Sequence, residues 1–152
     1  MHPSATIATP RSDTDLATEI SVRIEGYDLS RVGTYLQTHE GLSKREVEDL
    51  LVEYRRYMTM IALYPDLSIP IAGRVDLVWH THILFTRDYA AFCAEIVGRF
   101  VHHEPTVNAD ERERLAPAYR QRTLQIYESL FGKLDVETWG FDAMVCGCHN
   151  NN

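Results

Sequence analysis

Ser43-Lys44-Arg45-Glu46 opens a run in which Val47, Leu50, Leu51, Tyr54, Met58 and Ile61 recur at three- and four-residue spacing. A serine followed three residues later by glutamate is a capping box. The hydroxyl accepts from the Glu46 amide while the carboxylate reaches back to the serine amide. The apolar recurrence that follows matches one face of a 3.6-residue helix. Pro65 and Pro70 then stop it, since proline has no amide hydrogen and clashes with the preceding turn. A long amphipathic helix of this kind must bury its stripe against other elements, and the rest of the chain supplies helices to do so.

Asp76 reads as the N-cap of a second long helix running to Val97 and closed by Gly98, with an aspartate side chain for the first amides and a glycine for the left-handed exit. Val78, Phe85, Tyr89, Phe92, Cys93 and Ile96 would form its buried face. Asn108 with Glu111 opens a third, running to Phe131 before Gly132, with Leu115, Tyr119, Thr123, Ile126, Tyr127 and Leu130 inward. Pro117 either kinks or restarts it. Asp28-Leu29-Ser30 begins a short helix that ends near Gly41. The segment Leu16–Ile24 fits a strand by alternation and a helix by spacing; helix is preferred because no later segment offers a strand partner. The fold expected is all-α, a helical bundle of three long helices plus short N-terminal ones.

At 152 residues the chain has room for one domain of ordinary size. The expected boundaries are a mobile Ser/Thr/Pro-rich arm over 1–13, the helical domain over 14–141 and a flexible Cys-containing tail over 142–152. A formal charge of −7 argues against a nucleic-acid or anionic-membrane partner. No apolar run approaches the ~20 residues of a membrane span, and the first fifteen residues lack the apolar core of a signal peptide. Three cysteines, two of them at Cys146 and Cys148, make no disulfide framework. A reduced, cytoplasmic protein is expected.

The unusual word is Asp76-Leu-Val-Trp79-His80-Thr-His82. A neutral imidazole is a common ligand of divalent metals such as zinc. On a helix, however, His80 and His82 are separated by about 200° and cannot chelate one ion. His82 lies on the stripe of Val78, Phe85 and Tyr89, where a core histidine bonded to a carbonyl is expected. His80 lies with Asp76, one turn before it, a neighbour contact that orients the ring. His80, His82, Asp76 and His103 are the candidate metal ligands. His102 and His103 stand between the second and third helices. A continuous helix would carry the chain about 27 Å from His80 by Gly98. The few residues after it return at most ~15–18 Å. Closing a joint site in one monomer therefore needs a helix broken near Thr86; an antiparallel dimer is the other route. Cys146, Cys148 and His149 could complete a zinc site with the same histidines if the tail returns to them. No nucleophile elbow, His-Glu-x-x-His helix, glycine-rich phosphate loop or paired Glu-x-x-His appears.

Asp76-Leu-Val-Trp79-His80, then Tyr89-Ala-Ala-Phe92-Cys93 and Gly98-Arg-Phe-Val-His102-His103-Glu-Pro105, resemble the glycine-rich domain-containing protein-like family over about Leu42 to Pro105. The chain lacks that family's glycine-rich region, so it resembles a small stand-alone member. The resemblance implies that Trp79, His80 and His103 form a deliberate feature, and it implies no reaction.

Two functional classes fit these residues, and the first is preferred because open catalytic metal sites usually show three ligands and the sequence places only two. One is a small interaction or accessory module, working through a protein partner or self-association and structured by a divalent metal. The other is a metal-dependent enzyme in which Asp76 orients His80 and further histidines complete the ligand set. The second requires His80 to be exposed beside two more ligands converging on one point.

Overall fold

Residues 12–71, 73–104 and 108–140 are described by a computed structural model. Their helices are α1 (Asp13–Glu25), α2 (Ser30–His39), α3 (Lys44–Leu63), α4 (Gly73–Leu84), α5 (Thr86–Phe92) and α6 (Ala109–Phe131), with a π turn at Cys93–Val97 between the last two. Among the described residues there is no strand, and the fold is all-α. No helix among them is long and apolar enough to cross a membrane. Cys146, Cys148 and His149, and the N-terminal arm except for Ser12 and Asp13, lie outside the described residues.

Local chemistry sets most of the helix starts. The Ser43 hydroxyl accepts from the Glu46 amide, and the Glu46 carboxylate accepts from the Ser43 amide at 2.8 Å, completing the capping box. Asn108 Oδ1 accepts from the amides of Asp110 and Glu111 at the start of α6. Ser12 caps the 12–25 segment, which is a helix and not a strand. The Asp28 side chain accepts from the Ser30 amide where α2 begins. α6 runs through Pro117 without a break in its assignment.

α3 is the central rod, packed against α1, α2, α4 and α6. Its expected stripe is buried at Val47, Leu50, Tyr54, Met58 and Ile61, and Tyr57 and Met60 are buried as well. Each such side chain contributes roughly 1.5–3 kcal/mol by leaving water. Beyond α6 the chain returns Trp139 into this core, fully buried against the rings of Tyr57 and Tyr127.

The second long segment differs from its sequence reading at both ends and in the middle. It begins at Gly73, so Asp76 sits in the first turn and is not the N-cap. Gly73 takes φ +60°, and a Cβ there would lie 2.7 Å from the Gly140 amide nitrogen. At Phe85 (φ −85°, ψ 65°) the helix breaks. The Phe85 amide bonds the His82 carbonyl, and its own carbonyl accepts from the Tyr89 amide to start α5. The physical reason is a tertiary contact across the break: His82 Nε2 lies 3.0 Å from Asp88 Oδ2. In an unbroken helix those positions would be about 9 Å apart along the axis and on different faces. After α5 the chain winds into the π turn, closed by the Gly98 amide on the Cys93 carbonyl, and Gly98 leaves in the left-handed region at φ +86°. The break and this exit return residues 99–103 to α4.

Candidate metal centre

Asp76 and His80 stand one helical turn apart on α4, and His103 comes to them from the returning segment. His103 Nε2 lies 3.0 Å from Asp76 Oδ1 and 2.6 Å from His80 Nε2, and His80 Nε2 lies 3.7 Å from Asp76 Oδ1. A point about 2 Å from all three atoms lies just off the plane of that triangle, which is the bond length of imidazole nitrogen and carboxylate oxygen to zinc. Two imidazole lone pairs at 2.6 Å repel, so a proton or a cation must lie between them. The His80 side chain is 55% exposed against 26% for Asp76 and 16% for His103. The group is therefore walled on the protein side and open at His80.

The placement of His103 follows from a chain of contacts behind it. Its ring stacks flat on the Trp79 indole, with centroids 4.1 Å apart and planes within 6°. Trp79 Nε1 donates to the Tyr89 hydroxyl at 2.9 Å, and that hydroxyl donates to the Val101 carbonyl at 2.5 Å. Burial pushes the Tyr89 hydroxyl well above its ordinary pKa, which keeps it protonated and able to donate. One side chain of α5 thus ties the indole under His103 to the backbone two residues before it. The His80 and His103 rings also stack, centroids 4.6 Å apart, while their Nε2 atoms are closer than the ring centres. The rings lean together at the nitrogen end.

His82 is not part of this group. It points the opposite way, as the helical wheel requires, and is fully buried. Its partners are the Tyr54 hydroxyl, 2.8 Å from Nδ1, and Asp88, rather than the carbonyl expected from sequence. An ionised Asp88 accepts, so Nε2 carries the ring proton and Nδ1 takes the Tyr54 hydrogen. The Tyr27 hydroxyl donates to the other Asp88 oxygen at 2.8 Å, and its pKa is pushed up to about 12 by burial and by that carboxylate. Burial drives the His82 pKa below its ordinary 6.5. Both ring nitrogens are engaged, which leaves this histidine no lone pair for a metal.

Residues 23–125 match the UCP032817-like family. The chain belongs to that family. The match overturns the resemblance to the glycine-rich domain-containing protein-like family, and nothing implied by that resemblance carries over. No curated protein and no solved structure matches this member of the UCP032817-like family significantly.

Asp76, His80 and His103 all fall within the stretch matched to the UCP032817-like family. His102, the fourth histidine near the site, is exposed and packs edge-on against Phe100. Arg74 pairs with Glu46 at 2.9 Å and so links the starts of α3 and α4. The Ser43 amide and hydroxyl, together with Arg74, lower the Glu46 pKa to about 2, so the link carries its charge at any physiological pH. Sequence reasoning named the three converging residues but missed Tyr89 as the support of His103, and Tyr54, Asp88 and Tyr27 as the partners of His82. A Trp, a Tyr ten residues later and a returning loop are a tertiary arrangement with no periodic signal.

Proposed function

We propose that this protein binds one divalent transition metal through Asp76, His80 and His103 and works as a metal-dependent enzyme. The observation that carries this is the convergence of three electron-pair donors on one point, two of them imidazole nitrogens 2.6 Å apart. Two imidazoles and a carboxylate suit zinc and iron(II) among others. Structural zinc sites are closed by four protein ligands, whereas catalytic sites keep positions for water or substrate. Among the described residues three ligands converge, with His80 more than half exposed, and this matches the second pattern. A bound ion would supply Lewis-acid chemistry, lowering the pKa of water or polarising an oxygen. The chain's own contribution is to fix the ligand atoms: α4 sets the Asp76–His80 spacing, and the Trp79 stack sets the plane of His103. Cytoplasmic residence belongs to the same proposal.

A second reading, an accessory module with a protein partner, draws on Leu84 and Phe100, which are 63% and 50% exposed. The enzyme reading is preferred because an apolar contact has no need of three converging donor atoms.

The test is metal content. Protein purified without chelator and dialysed against zinc should retain one ion per chain by mass spectrometry. His103→Ala and Asp76→Ala should lose it, and His82→Ala should keep it in whatever fraction folds. Retention of a full equivalent by His103→Ala would remove the proposal.

A further inference from the structure

The separations within the cluster also say which sides of the ion are free. Ligands facing each other across an ion bonded at about 2.1 Å would stand about 4.2 Å apart, ligands at tetrahedral angles about 3.4 Å, and ligands at right angles about 3.0 Å. The separations are 2.6, 3.0 and 3.7 Å. None reaches the opposed distance, so no two of the three ligands face each other across the ion. The two separations from His103 fall at or below the right-angle value, while the Asp76–His80 pair at 3.7 Å matches the ~3.6 Å of a 120° angle, the pattern of a five-coordinate ion with one axial and two equatorial protein ligands. One axial and one equatorial position then remain, adjacent to each other, and His80 is the ligand most exposed to solvent. Two neutral imidazoles and one carboxylate leave a divalent ion with one net positive charge.

Resting on the metal reading above, we infer that the site takes a small anionic ligand that chelates through two oxygens, of the 2-oxo acid, 2-hydroxy acid or dicarboxylate class. Two adjacent open positions fit the short spacing of such oxygens, and the residual charge matches an anion. A single carboxylate donor would fill one position and forgo the second bond. With both donors on one small molecule, the second bond forms intramolecularly at high effective concentration.

Cobalt(II) in place of the native ion makes coordination visible. The full chain is loaded with cobalt, retention is measured by dialysis, and the visible spectrum is followed during titration with oxalate and, separately, with acetate. Expected are the bands of a five-coordinate ion, weaker than those of a tetrahedral one, a spectral change with oxalate at a concentration at least about tenfold below that needed with acetate, and cobalt still bound at saturation. Intense tetrahedral bands, equal responses to the two anions, or removal of cobalt by oxalate would each overturn the chelate inference while leaving the metal site standing. Failure to retain cobalt or zinc at all would overturn the metal reading itself.

Discussion

The Trp79 indole and the His103 imidazole lie face to face, 4.1 Å between centroids and 6° between planes. A flat stack fixes the plane of a ring but lets it slide and turn within that plane. The bonds from Trp79 Nε1 to Tyr89 and from Tyr89 to Val101 remove that freedom by fixing both the indole and the backbone next to His103. Tyr89→Phe keeps the ring and removes only the hydroxyl. It leaves the indole N–H without its acceptor and should cost roughly 1–3 kcal/mol of stability. If the hydroxyl positions His103, zinc affinity measured by calorimetry on the folded variant should also fall about 10-fold or more, the usual effect of removing a support behind a ligand. An unchanged affinity in a folded but less stable protein would limit Tyr89 to a structural role.

Gly73 starts α4 at φ +60°, and a Cβ there would sit 2.7 Å from the Gly140 nitrogen and 2.9 Å from the Trp139 carbonyl carbon. Both obstacles are backbone, which cannot swing aside as a side chain can. Gly73→Ala therefore combines left-handed strain with a clash and should cost about 1–3 kcal/mol or more. A fall in melting temperature of at least ~3 °C is expected. The same substitution at Gly41, also at positive φ but with open space around its Cβ position, should cost less.

Glu53 ties three elements together. One oxygen accepts from Arg56 at 2.8 Å, and the other accepts from the Tyr127 hydroxyl and Trp139 Nε1, each at 2.8 Å. Glu53→Leu would remove the acceptor of both the Tyr127 hydroxyl hydrogen and the indole N–H, although the Tyr127 oxygen would still accept from Arg56 at 2.7 Å. Orphaned buried donors cost roughly 1–3 kcal/mol each, so chemical denaturation should show a loss of several kcal/mol. A smaller loss in Glu53→Gln, whose amide oxygen still accepts, would assign the effect to the acceptor rather than to volume.

How far the molecule can be read from its sequence depends on whether each feature is local. The Ser43–Glu46 box, the Asn108 cap and the α3 stripe are written within a few residues of one another, and the structure has them where the spacing puts them. The same holds for Asp76 with His80, and for the opposite facing of His82. The break at Phe85 is different: Leu84-Phe85-Thr86 contains neither proline nor glycine. The His82–Asp88 contact that accompanies the break becomes visible only once α5 has folded back. With an unbroken helix, His103 falls short of His80 on simple reach. Trp139 gave no signal either, because a lone aromatic after the last periodic segment has no pattern to mark it as core.

His82 offers a pH test that is independent of any metal. Its ring is fully buried among Tyr27, Tyr54, Tyr89 and Phe92, with the Asp88 carboxylate on one nitrogen and Tyr54 on the other. The charges acting on it are Asp88, which favours protonation, and Arg55, which opposes it; burial, with Arg55 on the same side, outweighs Asp88 and the pKa is lowered. In the unfolded chain the same imidazole titrates near 6.5. Below that pH the unfolded state binds a proton that the native state refuses, so the stability contributed by neutral His82 is fully present above pH 6.5 and is lost progressively as pH falls toward the lowered native pKa. Denaturation midpoints of the wild type should decline between pH 7 and pH 5. His82→Phe removes the titrating group but strands the Tyr54 hydroxyl, so it should be less stable than wild type at pH 7, with a shallower decline toward pH 5. An equally steep decline in His82→Phe would place the acid sensitivity elsewhere in the molecule.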